Sequence, residues 1–301
     1  MSIFAFKNKR SLAIALMTLG SIIISFNGLV LRNIDHADQW TIIFYRAVAF
    51  SSAVYLFLLF QYKKKVLVHI TKIGSRGLTA GLFLGSANMF FILSMTTTTV
   101  ANTVFTISLI PFITAIFAMF FLREKLAKIT IYTMISALVG VIIMFYGALD
   151  SGKILGNIFA LCTAISFSIF AIILRSNKHL DMLPCLLISG FIALTVSCAL
   201  KMGSLQISLN DMLLSFLLGG FMSAFVNCCF VFATRYMVAA EATLFFFLEI
   251  SLSPIWVWLF ANESAARSTL IGGTFVLLSL LIRGLYIKFA ASHKSITALP
   301  K

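Results

Sequence analysis

The sequence predicts an all-α integral membrane protein with ten transmembrane helices in two inverted five-helix repeats. Three observations predict this fold class: the composition, a series of apolar runs, and an internal repeat. Of the 301 residues, 61% are hydrophobic and only 11% are charged, and the mean hydropathy is +1.06. Soluble domains are about 45–50% apolar and about 25% charged. The composition therefore excludes a soluble enzyme, a disordered chain and a coiled coil.

Charged and turn residues divide the chain into ten apolar runs. A bilayer core of about 30 Å needs about 20 apolar residues per helix, and the links between the runs leave no room for a soluble domain. The longest link is 61–76. The first run follows a basic N-terminus without a small-residue cleavage pattern, so it is predicted to be an uncleaved span. The predicted spans are 11–31, 39–61, 76–96, 100–122, 128–147, 154–174, 182–200, 212–234, 239–260 and 268–290.

The basic residues predict the orientation of these spans. With the N-terminus in the cytoplasm, 18 of the 23 Lys and Arg residues fall inside, 4 fall outside, and Arg46 lies within a span. Lys and Arg accumulate in cytoplasmic loops, so both termini are predicted to be cytoplasmic, in a multi-pass protein of the inner (plasma) membrane. The net charge of +14 then reports orientation. A nucleic-acid partner, which needs basic residues clustered on a solvated face, is not expected.

An internal repeat divides the chain into residues 1–148 and residues 149–301. A shift of 139 residues aligns the third span through the start of the fifth with the eighth span through the start of the tenth, and a shift of 143 aligns earlier segments. Each repeat holds five spans, an odd number, so the second copy must enter the membrane from the opposite side. Inverted repeats predict a substrate site near the midplane between the halves and an alternating-access carrier. Matched pairs include Gly81 and Gly220, Asn88 and Asn227, Phe91 and Phe230, Glu124 and Glu263, Arg32 and Arg175, and Asp38 and Asp181.

Two repeated segments resemble a known family. Residues 99–126 read TVANTVFTISLIPFITAIFAMFFLREKL, and residues 238–263 read VAAEATLFFFLEISLSPIWVWLFANE. Small residues open each segment, a proline-containing apolar helix follows, and an acid stands after the span. This pattern resembles the EamA family of the drug/metabolite transporter superfamily, although the common Gly-Glu-Arg ending is absent. The resemblance implies ten helices in two repeats and a secondary carrier that usually exports small metabolites such as amino acids, with importers also known.

Two charged residues within spans are the first candidates for substrate binding, since charges inside a membrane are costly and mark functional sites. Glu249 lies about 15 Å deep in the ninth span and could bind a substrate ammonium, take and release a proton, or pair with Arg46. Arg46, in the second span, could bind a substrate carboxylate or serve only as a structural residue. If both face the cavity, they match the two ends of a zwitterion.

Further candidates are polar or aromatic. Asn88 and Asn227 are related by the repeat and need hydrogen-bond partners in the membrane, either from a neighbouring helix or from a substrate. Phe91 and Phe230 lie one turn further along the same helix faces and could clamp a ligand or only pack. Asn27 and Tyr45 are weaker candidates of the same kind.

The sequence predicts a secondary active or facilitative transporter of a small, amino-acid-like metabolite, working as an exporter. A coupled proton is a candidate second ligand, and the lipid bilayer is the surrounding partner; the sequence does not determine the oligomeric state. The alternatives are an importer of a cofactor, a vitamin or a small cationic or methylated metabolite, and a non-transporting scaffold. The four histidines are dispersed and the five cysteines match no zinc spacing, so no metal, cofactor or enzymatic activity is expected.

Overall fold

The computed structural model describes residues 9–123, 128–146, 154–201 and 205–261, together with isolated positions within 271–282. Throughout these residues the regular secondary structure is helical. Helices overlie the first nine predicted spans. The predicted tenth span, 268–290, and the acids Glu124 and Glu263 lie largely or wholly outside the described residues. The ten-helix count therefore stays a prediction.

The first half contains seven helices that the structure describes. They are α1 (Lys9–Ile24), α2 (Asn27–Arg32), α3 (Gln39–Tyr62), α4 (Val66–Thr97), α5 (Val100–Ile107), α6 (Ile110–Leu122) and α7 (Lys128–Tyr146). In the second half, a π-helical segment at Leu217–Ser223 joins two of the helices. The helices there are α8 (Ile154–Ser176), α9 (Cys185–Leu200), α10 (Leu209–Phe216), α11 (Ala224–Tyr236), α12 (Ala239–Thr243) and α13 (Phe246–Phe260).

Six helical segments of the described chain are long and apolar enough to cross a membrane, so the protein is a multi-pass membrane protein. They are Lys9–Arg32, Gln39–Tyr62, Val66–Thr97, Ile154–Ser176, Leu209–Tyr236 and Ala239–Phe260. Shorter apolar helices lie between them at Ile110–Leu122, Ile131–Gly140 and Cys185–Leu200.

Local sequence signals explain several helix ends. The side chain of Asp38 caps α3 by accepting a hydrogen bond from the Trp40 backbone N–H, and Ser208 caps α10 in the same way. Such caps replace hydrogen bonds that the first turn cannot make internally. Pro111 stands in the first turn of α6, where the missing N–H costs nothing.

The predicted link 61–76 is largely helical in the structure. The structure makes it helical from Lys63 onward, with a break at Gly74, whose φ of 52° is a left-handed value that glycine adopts without steric cost. The apolar residues Val66 and Ile73 are buried, whereas Lys65 and Lys72 are exposed. An amphipathic face therefore supports helix in this link.

Three of the predicted spans are broken into two helices each. The breaks lie at residues 25–26 between α1 and α2, at 108–109 between α5 and α6, and at 244–245 between α12 and α13. The last two breaks lie in segments related by the 139-residue shift. Only the break before Pro111 has a proline beside it, and α13 continues across Pro254.

Small residues let the two halves pack closely. The helix α4 packs against α8 and α9 of the second half, and α1 packs against α11. A Cβ added at Gly81 would lie 2.7 Å from the Ile188 Cβ, and one added at Gly85 would lie 2.9 Å from the Ser189 carbonyl oxygen. These glycines therefore hold α4 and α9 at a backbone distance that larger residues would not allow.

Candidate functional site

A cavity lies between the two halves and is lined by residues of both. The three helix breaks all adjoin it. Eight lining residues come from each half. The first half contributes Ile24, Asn27, Arg46, Ala87, Asn88, Phe91, Ile107 and Ile110, and the second half contributes Thr163, Phe167, Ser223, Val226, Asn227, Phe230, Phe246 and Glu249.

Most of the lining residues fall into pairs at the repeat shifts. The shift of 139 residues relates five pairs and the shift of 143 relates a sixth. Both halves thus present corresponding positions to the same cavity. The pairs are Ala87 and Val226, Asn88 and Asn227, Phe91 and Phe230, Ile107 and Phe246, Ile110 and Glu249, and Ile24 and Phe167.

Arg46 is buried, with 7% of its surface exposed, and it lies at the cavity wall. Its guanidinium donates to the Asn88 carbonyl oxygen at 3.3 Å, to the Asn88 Oδ1 at 3.1 Å and to the Ser223 Oγ at 2.7 Å. These bonds join α3 to α4 and to the π-helical segment. All three partners are neutral, so the positive charge of Arg46 has no carboxylate partner among the described residues.

Glu249 is the acidic residue of the cavity wall, with 5% of its surface exposed. Within the described part of the chain, its carboxylate makes no hydrogen bond or ion pair. The residue lies in the first turn of α13, immediately after a helix break, where the helix dipole favours a negative charge. Arg46 and Glu249 therefore share one cavity without pairing with each other.

The three asparagines also line the cavity, and each has a different setting. Asn88 accepts from Arg46, as described, and the Asn227 Nδ2 donates to the Ser223 carbonyl oxygen at 2.8 Å. Asn27 is 3% exposed, and its side-chain oxygen has no hydrogen-bond partner among the described residues. A buried amide oxygen without a donor is costly, so Asn27 marks a place where a ligand donor would be stabilising.

An aromatic cluster forms part of the second-half wall. The rings of Phe167 and Phe246 meet edge to face at a centroid distance of 5.1 Å, and Phe167 meets Phe230 at 5.0 Å. Phe230 and Phe246 stack at 5.8 Å. Phe91 lines the cavity from the first half.

The structure places seven of the eight predicted site residues at the cavity, and substrate binding by them stays a prediction. The exception is Tyr45. Its hydroxyl donates to the Leu205 carbonyl oxygen at 2.9 Å, and its ring lies near Phe44 and Phe216. Tyr45 directly precedes Arg46, and successive residues of a helix point about 100° apart, so the two side chains face different surroundings.

Sequence reasoning missed several lining residues. Phe167 and Phe246 were indistinguishable from the other members of a set of 31 phenylalanines, and Thr163 carried no pattern. The internal repeat could have identified Phe246 as a candidate, because its counterpart at the 139-residue shift, Ile107, lies in the segment that carries the family resemblance. Ser223 carried no distinguishing pattern either, although its hydroxyl accepts a hydrogen bond from Arg46.

Polar contacts join the halves on the side of the molecule predicted to face outward. The Lys201 Nζ lies 2.5 Å from the Asp38 Oδ1, a pair that we call the outer latch. The Thr41 hydroxyl donates to the same carboxylate. Burial alone would raise the pKa of Asp38, but the hydrogen bonds from Lys201, Thr41 and the Trp40 N–H hold this pKa below its ordinary 3.8.

Polar contacts also join the halves on the predicted cytoplasmic side. Arg10 of α1 pairs with Glu241 of α12 at 3.0 Å, a contact that we call the inner latch. Asp181 pairs with Arg235 at 2.5 Å and also accepts from the Tyr62 hydroxyl of the first half. The two ends of the molecule are thus both tied in this conformation.

Repeat-related residues make these contacts at opposite ends. Asp38 and Asp181 correspond at the 143-residue shift, and each carries an ion pair. Arg32 and Arg175 correspond in the same way. Arg32 donates to the carbonyl that follows α4, at Thr98, and Arg175 donates to a carbonyl in the last turn of α11, at Thr234. Among the described residues, no group of His, Cys, Asp and Glu is arranged to hold a metal ion.

Comparisons with known proteins agree with this fold. Residues 11–146 match the EamA-like transporter family. A protein of Clostridium kluyveri (strain ATCC 8527 / DSM 555 / NBRC 12016 / NCIMB 10680 / K1), named as an uncharacterized transporter, is 28% identical over 195 residues, which are 60% of this chain. The match spans 60% of that relative's length. A solved crystal structure has a TM-score of 0.73 at 14% identity and covers 92% of this chain and 98% of its own, a likeness of fold alone.

Proposed function

We propose that the chain, whose residues 11–146 match the EamA-like transporter family, is a secondary carrier that exports a small metabolite across the inner membrane. The observation that carries this proposal is the cavity, in which Arg46 and Glu249 lie without pairing with each other. One positive and one negative group in a single cavity complement a zwitterion, so an amino-acid-like substrate fits. Asn27, Asn88 and Asn227 supply neutral hydrogen-bonding groups beside them.

The proposed mechanism is alternating access between two inverted repeats of five spans each. Repeat-related positions line the cavity, which is expected where two inverted halves enclose a site. The outer and inner latches join the halves at opposite ends, and opening one latch while the other holds would expose the cavity to one side at a time. The conformation with both latches closed then corresponds to an occluded carrier.

Glu249 is proposed to carry either the substrate ammonium or a proton. Its carboxylate meets no donor from the described residues, so a ligand or a proton would satisfy it. This exchange would link export to a proton that enters. An importer with the same fold would use the same groups, because a carrier follows the gradients of its ligands.

The test is transport by the full-length protein in proteoliposomes loaded with a panel of amino acids and amines. Hydrogen bonds to charged groups contribute about 1.5–3 kcal/mol, so Glu249→Gln is expected to lower transport about 10- to 150-fold. The matched control is Asp35→Asn, because Asp35 is an exposed acid of the predicted outer loop and should keep full transport.

Two results would contradict the proposal. Absence of uptake and efflux across the panel would remove the carrier function and favour a scaffold. Full transport by a well-folded Glu249→Gln protein, eluting as a single species in detergent, would remove Glu249 from the mechanism.

A further inference from the structure

The two walls of the cavity differ at positions that the repeat relates to each other. In the first half these positions hold aliphatic side chains, at Ile24, Ile107 and Ile110. Their counterparts in the second half are aromatic or acidic, at Phe167, Phe246 and Glu249. A symmetric scaffold thus carries an asymmetric lining, and the asymmetry indicates which end of a ligand each wall would hold.

The second-half wall combines aromatic rings with a carboxylate. Phe246 and Glu249 lie three residues apart in the first turn of α13, so they share one helix face. Phe167 packs edge to face against Phe246 at 5.1 Å. Aromatic faces attract cations, most strongly where water is excluded, and Phe246 is only 6% exposed. This wall can therefore hold a positive charge and an apolar body together.

Two of the unpaired polar groups at the cavity are acceptors. The Glu249 carboxylate and the Asn27 side-chain oxygen both lack donors among the described residues, and both residues are more than nine-tenths buried. A ligand that supplies N–H donors would satisfy both. An anion placed beside Glu249 would make a like-charge contact, which is unfavourable in a buried site.

The guanidinium of Arg46, by contrast, is already engaged in hydrogen bonds within the protein. It donates three hydrogen bonds, two to Asn88 and one to Ser223. The backbone of the same residue lies against the π-helical segment, since a Cβ at Gly219 would be 2.0 Å from the Arg46 carbonyl oxygen. Arg46 is thus held in place by contacts that do not need a ligand.

From this division we propose that the second-half wall binds the ammonium end of an organic amine with an apolar body, and that Phe167 and Phe246 are specificity-determining residues. The proposal rests on the carrier function above and narrows its substrate class. A carboxylate on the ligand is accommodated toward Arg46 but is not required. The positive charge is the feature that the site selects.

The test uses three probes of similar size and different charge: phenethylamine, phenylacetate and 3-phenylpropanamide. Binding to the purified full-length protein is measured by calorimetry at pH 7, and transport is measured in proteoliposomes. Phenethylamine is expected to bind and to be transported. Phenylacetate and the neutral amide are expected to show binding at least about tenfold weaker, the factor that corresponds to one charge-assisted contact.

The two proposed specificity residues are tested by single substitutions. Phe246→Ile gives the second half the residue of its repeat partner, and Ile107→Leu is the matched control on the opposite wall. Loss of a desolvated cation–aromatic contact should raise the dissociation constant of phenethylamine about 3- to 30-fold. Phe246→Tyr, which keeps the ring, should retain wild-type binding, and Phe167→Leu provides a second test if Phe246→Ile does not fold.

The results separate this proposal from the carrier function. Equal or tighter binding of phenylacetate, absence of amine binding, or equal effects of Phe246→Ile and Ile107→Leu would overturn the proposal. In any of these cases, transport of another panel solute would leave the carrier function standing. Absence of all transport in the wild-type protein would instead overturn both.

Discussion

Gly219 provides a sharp test of how the cavity is held together. It lies in the π-helical segment Leu217–Ser223, where that segment crosses α3. A Cβ at this position would lie 2.0 Å from the Arg46 carbonyl oxygen and 2.8 Å from the Arg46 carbonyl carbon. Both obstructing atoms belong to the backbone, so no side-chain rotation can relieve the contact. Gly219→Ala must therefore push the π-helical segment away from α3.

The size of the effect follows from this geometry. Restoring an ordinary separation of about 3.4 Å requires the two backbones to move apart by about 1.4 Å. Overpacking of this kind costs about 1–3 kcal/mol of unfolding free energy. For a chain of this size, a loss of about 2 kcal/mol lowers the melting temperature by about 3 °C. The shift also moves Ser223 away from Arg46, so ligand binding should weaken as well.

The neighbouring glycine supplies a matched control. A Cβ at Gly220 would lie 3.4 Å from the Ala49 carbonyl oxygen and 3.5 Å from the Ala49 Cβ, which are ordinary contacts. The assay is thermal unfolding of both variants in the same detergent, followed by the surviving monodisperse fraction. Gly219→Ala should melt several degrees below the wild-type protein and Gly220→Ala close to it. Equal melting temperatures for the two variants would refute the close approach of the π-helical segment to Arg46.

Two further predictions concern the latches. The outer latch needs a charged Asp38, whose pKa is held below 3.8, so its stabilisation is complete above that pH and is lost as the pH falls through the folded-state pKa. Because the pair is partly exposed, its contribution to stability is below about 1 kcal/mol. The melting temperature of Lys201→Met should therefore fall less between pH 5 and pH 3 than that of the wild-type protein. An identical fall in both proteins would contradict the latch. Cysteines replacing Arg10 and Glu241 in a cysteine-free background should, when joined by a short reducible cross-linker, stop transport until a reductant is added. Continued transport by the cross-linked protein would show that the inner latch need not open.

The sequence was sufficient for the main features of the fold because they depend on composition and periodicity. Apolar runs of membrane length predicted helices that the structure places over nine segments. Arg46 and Glu249 could be identified because a charge in an apolar run is rare, and Asn88 and Asn227 because the repeat relates them. Each of these four residues lies at the cavity, whereas the tenth span stays a prediction.

The remaining features depend on tertiary geometry that leaves a weak local signal. The breaks at 25–26 and 244–245 have neither glycine nor proline at them. Tyr45 was a reasonable candidate by position, but one residue of helical rotation turns it from the cavity. Phe167 and Phe246 gain their significance from the rings and the carboxylate near them, and those neighbours come together only in the folded chain.

The unpaired charges of Arg46 and Glu249 also have an electrical consequence. One guanidinium and one carboxylate sum to zero, so the empty site can change sides without work against the membrane voltage. Moving one elementary charge across 100 mV involves about 2.3 kcal/mol, and an inside-negative voltage would draw an amine-loaded site inward. In the proposed exchange, Glu249 returns with a proton in place of the ammonium, so one positive charge replaces another. Under this proposal, export of an amine would be independent of voltage and driven by the pH gradient.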